Sequence, residues 1–157
     1  MDKMLKVLAK DARLTNEQLA AMLNTTEADI TARIAKLEKE GVIRGYQALV
    51  DWDKTDREYV TAIIDLQIAP TKDRGFDGIA EVLMSFDEVE SVSLMSGGYD
   101  LSVTITGRSF RDVAMFVATR LSPLDGVLAT ATHFVLKKYK ERGVLFTDEE
   151  KDERGQV

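Results

Sequence analysis

The apolar residues of this chain change their spacing once, between Asp53 and Tyr59, and that change limits what it can fold into. Before it, they recur at intervals of three and four, as in Ile30, Ile34 and Leu37, the repeat of one face of a helix. After it, stretches such as YVTAIIDLQI alternate, with Val60, Ala62, Ile64, Leu66 and Ile68 on one side, the repeat of a strand half-buried in a sheet. The polar break Lys54, Asp56, Arg57 and Glu58 separates the two regimes. The pattern therefore predicts a helical domain over 1–50, a linker over 51–58 and an α+β domain over 59–140. An acidic tail over 141–157 follows.

The first block reads as three short helices. Met4, Leu5, Val7 and Leu8 form one apolar face. Thr15 caps the next helix, and Gln18 three residues later has the capping-box spacing. Leu14 and Leu19 stand where a hydrophobic staple joins, and Asn24 ends the helix. Thr25 or Thr26 caps the third, and Gly41 stops it, with Lys36 and Lys39 in the last turns where the helix dipole favours cations. Two helices joined by a short turn make a helix-turn-helix. VIRGYQALVDWD, Val42 to Asp53, reads as a small β element or wing.

The second block orders as strand, helix, strand, strand, helix, strand. FDGIAEVLMSF and SFRDVAMFVATRL carry the helical spacing, with Ser109 as a cap, while VESVSLM, YDLSVTI and VLATATHFVLKKYK read as strands. That is the βαββαβ, ferredoxin-like plan. Its helices cover one sheet face and leave the other, carrying Tyr59, Thr61, Ile63 and Asp65, for a partner.

Composition narrows the chemistry. With no cysteine and one histidine, His133, a cysteine-based metal site is excluded and a histidine cluster or triad has almost no material. No cofactor is expected, and no enzyme. His133 sits in an apolar strand as an interface or core residue, and Trp52 reads as a packing anchor. No run of about eighteen apolar residues appears, and the charged start MDKMLKVLAKD does not resemble a secretory segment, so a soluble, cytoplasmic protein without a membrane partner is expected. The net charge of −6, taken as a total, opposes a nucleic-acid partner. Yet residues 1–52 are neutral, with eight basic and eight acidic residues, and the excess lies beyond them.

The run LTNEQLAAMLNTTEADITARIAKLEKEGVIRGYQALVD, the hairpin SGGYDL and the pair LSPLDGVLATATHFVLKKYK together resemble the leucine-responsive regulatory protein/AsnC (Lrp/AsnC) family of prokaryotic transcription regulators. The resemblance runs from about Leu5 to Leu136. It implies a winged helix-turn-helix that binds double-stranded DNA, and an effector-binding domain that pairs into homodimers and often octamers.

A recognition helix lays its N-terminal residues on base edges in the major groove. Here the DNA-contacting candidates are Thr25, Thr26, Asp29, Thr31, Ala32, Arg33 and Lys36. Thr and Ala suit thymine methyls, Arg suits guanine, and hydroxyls hold phosphate. Glu27 and Asp29 depart from the family's usual helix, because each acid opposes the counterion release that drives non-specific affinity. Weak binding per subunit, rescued by several linked heads, is the expectation. The alternative is a ligand-sensing or scaffolding oligomer whose DNA binding has weakened or been lost.

Gly97-Gly98 reads first as a two-residue turn with positive φ at both positions. A backbone without Cβ also lets a small zwitterion reach amide N–H groups. In the family this region lines an amino-acid pocket between dimers, which carries over to Ser96, Gly97, Gly98, Tyr99, Asp100 and Leu101, with Thr130 and Thr132 from the last strand. Asp100 is expected to meet an ammonium group, and Tyr99 to close over the side chain.

Overall fold

The computed structural model describes residues 2–147; most of the expected acidic tail, 148–157, lies outside them. The chain divides into two compact units, Met1–Val50 and Asp51–Val157.

In the first unit, helix α1 spans Lys3–Leu8, α2 spans Asn16–Leu23 and α3 spans Glu27–Lys39. Asp2 caps α1 by accepting the Met4 amide at 2.9 Å. Thr15 and Gln18 form the reciprocal capping box at 3.1 and 2.9 Å, which satisfies two otherwise orphaned donors. Asn24 ends α2 in the left-handed conformation, φ 54°, and Thr26 rather than Thr25 caps α3. Met4, Leu8, Leu19, Ala20 and Ile30 are buried together, with Leu14, Leu23, Ile34 and Leu37 packed around them. Each large side chain removed from water contributes about 1.5–3 kcal/mol.

The segment after α3 corrects an expectation. No strand forms between Val42 and Val50. The amides of Val42 and Ile43 instead return to the Leu37 carbonyl at 2.9 and 3.1 Å, around Gly41 at φ +67°. Ile43 joins the helical core, and the Tyr46 hydroxyl donates to Glu38 at 2.9 Å. A lone two-stranded ribbon is marginal in water, and here the helix end supplies competing partners.

The second unit opens with a 3₁₀ turn, Trp52–Lys54, inside the stretch expected as a linker. Strand β1 is Val60–Ile68, α4 is Asp77–Met84, β2 is Val89–Leu94 and β3 is Leu101–Gly107. Helix α5, Phe110–Phe116, is capped by Ser109 and continues as a π-type turn over Val117–Leu121. Strand β4 is Val127–Phe134. The sheet order is β2-β3-β1-β4, antiparallel throughout, the ferredoxin-like arrangement.

Along β1, Ala62, Ile64, Leu66 and Ile68 are buried and pack with Leu83, Val103, Ile105, Val113 and Leu121 beneath the two helices. The opposite face presents Thr61, Ile63 and Asp65, which pair in register with Thr106, Thr104 and Ser102 of β3. His133 and Ala131 of β4 flank Ile63 and Asp65 from the other side. His133 is therefore not a core residue within one chain: its side chain is 61% exposed and its Nε2 lies 3.3 Å from Asp65. Strand β4 stops at Phe134, short of the expected Lys140, because its neighbour β1 begins at Val60 and offers one last carbonyl, Thr61, to Val135. A small ribbon not foreseen from the sequence, β5 Lys140–Glu141 with β6 Val144–Leu145, follows; Arg142 and Gly143 turn it with φ 47° and 88°.

Candidate functional site

Helix α3 displays its outer side to solvent, with Ala28, Ala32, Ala35, Lys36 and Lys39 exposed, because Ile30, Ile34 and Leu37 turn the opposite side inward. The candidate DNA-contacting residues fall into four groups. Thr25, Thr26 and Asp29 form one cluster at the helix start: both hydroxyls donate to Asp29 Oδ2, at 3.2 and 2.6 Å. The Thr26 hydroxyl, then that of Thr25, holds the Asp29 carboxyl below its ordinary pKa. Thr31 donates to the Glu27 carbonyl and accepts from Asn16, both at 2.9 Å, which ties α3 to the start of α2.

Arg33 is committed elsewhere. Its Nη2 donates to Asp2 at 2.7 Å, bracing α3 against the cap of α1. Burial pushes the Asp2 carboxyl up, but the Met4 amide and the Arg33 guanidinium together outweigh it and leave the pKa lowered. Lys36 pairs loosely with Glu40 at 3.8 Å and is 71% exposed, and Ala32 is open to solvent. Lys36 and Ala32 are the least encumbered of the seven. Asp2 and Asn16 were missed in the sequence, since nothing local signals a partner 31 or 15 residues away.

The glycine hairpin is a six-residue loop rather than a two-residue turn. Leu94 pairs with Leu101, and the Met95 amide donates to the Asp100 carbonyl at 2.8 Å. Only Gly97 has positive φ, +132°, so the paired positive-φ turn does not form. Around Gly97 and Gly98 a Cβ would meet nothing within 4 Å, which leaves the loop backbone open on that side. Tyr99 is 37% exposed.

Asp100, expected to meet an ammonium group, also holds the loop in place. Its Oδ2 accepts the Ile68 amide at 2.8 Å, and its own amide donates to Leu66 at 2.9 Å. The carboxylate thus pins the loop to the end of β1. Thr130 lies opposite Leu66 and Thr132 opposite Ile64, so both belong to the half-buried, helix-side face of β4. Thr130 stands near the loop, and Thr132 two residues further along the strand.

At the other end of the sheet lies an open cleft of about 610 Å³, lined by Arg57, Glu58, Tyr59, Asp87, Glu88, Thr106, Gly107 and Arg108. The sequence did not reveal it, because three separate segments build it. Trp52 stacks on Tyr59 with ring centroids 5.4 Å apart, so it is a packing anchor within the second unit. The Tyr59 hydroxyl donates to Glu90 at 2.6 Å; burial first, then that carboxylate, raises its pKa.

Comparison with known proteins agrees along the chain. Residues 61–145 match the Lrp/AsnC ligand binding domain, and residues 3–44 match a winged helix-turn-helix DNA-binding domain. YugG of Bacillus subtilis, an HTH-type transcriptional regulator, is 48% identical over 153 residues, covering 97% of this chain and 92% of its own. LrpA of Pyrococcus horikoshii, another HTH-type transcriptional regulator, is 29% identical and covers 87% and 94%. The transcriptional regulator NMB0573 of Neisseria meningitidis, solved as its L-Met complex, superposes with a TM-score of 0.73 at 27% identity, over 90% of this chain and 93% of that one. Among the described residues no helix is long and apolar enough to cross a membrane. With the ligand-binding family spanning residues 61–145 and a regulator 48% identical over nearly the whole length, this chain belongs to the Lrp/AsnC family of DNA-binding transcriptional regulators.

Proposed function

We propose that this protein controls transcription in the cytoplasm as a homo-oligomer whose DNA heads respond to a small amino acid, and that it catalyses no reaction. The observation that carries the reading is that one chain holds both an exposed, amphipathic α3 in its first unit and, separately, an open-faced sheet in its second. Helix α3 reads duplex DNA from Thr25, Thr26, Thr31, Ala32 and Lys36. Asp29 organises the two threonines, and Arg33 acts from its brace with Asp2. The bare sheet face of Ile63, Asp65, Ala131 and His133 closes against a second copy, giving a dimer and, from dimers, a higher assembly such as an octamer.

The amino acid lies at Ser96–Leu101. The amides flanking Gly97 and Gly98 hold its carboxylate, while Tyr99 and Leu101 bound its side chain and Thr130 and Thr132 complete the wall. Methionine is a reasonable first probe, because the regulator NMB0573 was solved with it. An effector that binds one arrangement of dimers more tightly than another shifts the spacing of the heads.

The test joins light scattering to DNA retardation, with and without a panel of amino acids. Expected are an assembly larger than one chain, a change in its size or DNA affinity with at least one amino acid, and salt-sensitive retardation weakened by Lys36→Ala. A chain that stays single at micromolar concentration with DNA and amino acids present overturns the reading. The acids Glu27 and Asp29 at the start of α3 favour a second one, a ligand-sensing oligomer with little DNA affinity. Amino-acid-dependent assembly without retardation at low salt supports it.

A further inference from the structure

We infer that the cleft between the start of β1 and the end of β3 is a second binding site, for a small zwitterion carrying a carboxylate and an ammonium group. It is distinct from the hairpin and independent of DNA binding.

Three segments converge there: Arg57, Glu58 and Tyr59 before β1, Asp87 and Glu88 before β2, and Thr106, Gly107 and Arg108 at the end of β3. Their charges sort by partner. Glu88 is taken by Arg120, whose Nη1 reaches its two oxygens at 3.1 and 3.4 Å. Among the described residues Arg57, Arg108, Glu58 and Asp87 form no ion pair. Two uncommitted guanidiniums and two uncommitted carboxylates therefore share one cleft of about 610 Å³.

Arg57 is held ready rather than loose. Its guanidinium carbon lies 4.8 Å from the Trp52 ring centre and 5.4 Å from that of Tyr59, and Tyr59 is itself fixed by its bond to Glu90 at 2.6 Å. Stacking uses the face of a guanidinium and leaves its N–H edge free for a carboxylate. A simple anion gains at the arginines and loses at Glu58 and Asp87; a simple cation does the reverse. A molecule with both charges a few ångströms apart gains at both ends. A free amino acid or short peptide has that form, and the volume accommodates either.

Trp52, the only tryptophan, stacks on the wall of this cleft and reports on it. The experiment titrates the full chain with each L-amino acid and with glycylglycine while following Trp52 emission. Butyrate and butylamine serve as single-charge controls. Expected is a saturable change with at least one zwitterion and none with either control. Arg108→Gln and Glu58→Gln each weaken the response about tenfold or more, while Gly98→Val, which fills the open space beside the hairpin backbone, leaves it intact. Circular dichroism verifies that each variant folds. The inference is overturned if no zwitterion changes the emission, if the controls act equally, or if Arg108→Gln and Glu58→Gln bind as the unaltered chain does. A response abolished by Gly98→Val but kept by Arg108→Gln assigns the ligand to the hairpin alone, and so also overturns it.

Discussion

Asp100 is fastened to the end of β1 twice: its carboxylate accepts the Ile68 amide at 2.8 Å, and its amide donates to the Leu66 carbonyl at 2.9 Å. The side chain expected to meet an effector's ammonium group thus also secures the loop that would hold the effector. Removing it orphans a part-buried amide. Asp100→Ala is predicted to cost about 1–3 kcal/mol in chemical denaturation and to abolish amino-acid binding at the hairpin. Asp100→Asn keeps an acceptor for Ile68 and most of the stability, so weakened binding in that variant isolates the role of the charge. Equal stability of Asp100→Ala and the unaltered chain contradicts the anchoring.

Two glycines separate strain from openness. Gly126 has φ +90°, and a Cβ there would lie 2.9 Å from Ile79 Cδ1 and 3.3 Å from the Ala69 carbonyl. Gly126→Ala is predicted to destabilise the second unit by about 1–3 kcal/mol, since both the backbone and the space oppose it. Gly98→Ala meets open space and should leave the thermal midpoint within the scatter of surface substitutions. The reverse ranking contradicts this.

The Thr15 capping box is measurable by itself. Thr15→Ala removes the acceptor for the Gln18 amide and should cost the helical unit about 1 kcal/mol, whereas Thr15→Ser should restore it. Helix content during denaturation at 222 nm, compared between the two variants, decides the matter.

Acid should weaken the helical unit through Asp2 and Asp29, whose folded pKa values are both lowered from 3.8. A carboxyl with a depressed folded pKa stabilises the fold above its unfolded value, and that contribution is lost as pH falls through the folded one. Stability of this unit should therefore be flat above about pH 5 and decline below pH 3.8. Asp29→Asn and Asp2→Asn should each flatten the decline. An unchanged acid profile in both variants contradicts it.

Neighbouring isoleucines test the two faces of β1. Ile64 is 0% exposed and Ile63 39%. Ile64→Ala should lose about 2–5 kcal/mol from the core. Ile63→Ala should barely change the stability of one chain but lower the assembly mass in sedimentation. An assembly indifferent to Ile63→Ala shows that copies meet elsewhere.

Much of this was legible in the chain alone. The switch of apolar period at residue 59, the Thr15-Gln18 spacing and the Ser109 cap each concern residues within a few positions of one another. Periodicity and capping are local, so they determined three helices and a βαββαβ order. The resemblance in LTNEQLAAMLNTTEADITARIAKLEKEGVIRGYQALVD and SGGYDL added the family. What tertiary structure decided was partnership between distant residues. Arg33 is engaged by Asp2 and Asp100 by Ile68. His133 reaches Asp65 on the open sheet face instead of entering a core, and residues 57, 87 and 108 face one cleft. The strand expected after α3 is absent for the same reason: Val42 and Ile43 had a nearer acceptor at Leu37. A hydrogen bond or ion pair depends on where the chain returns in space, and periodicity in sequence carries no record of that return.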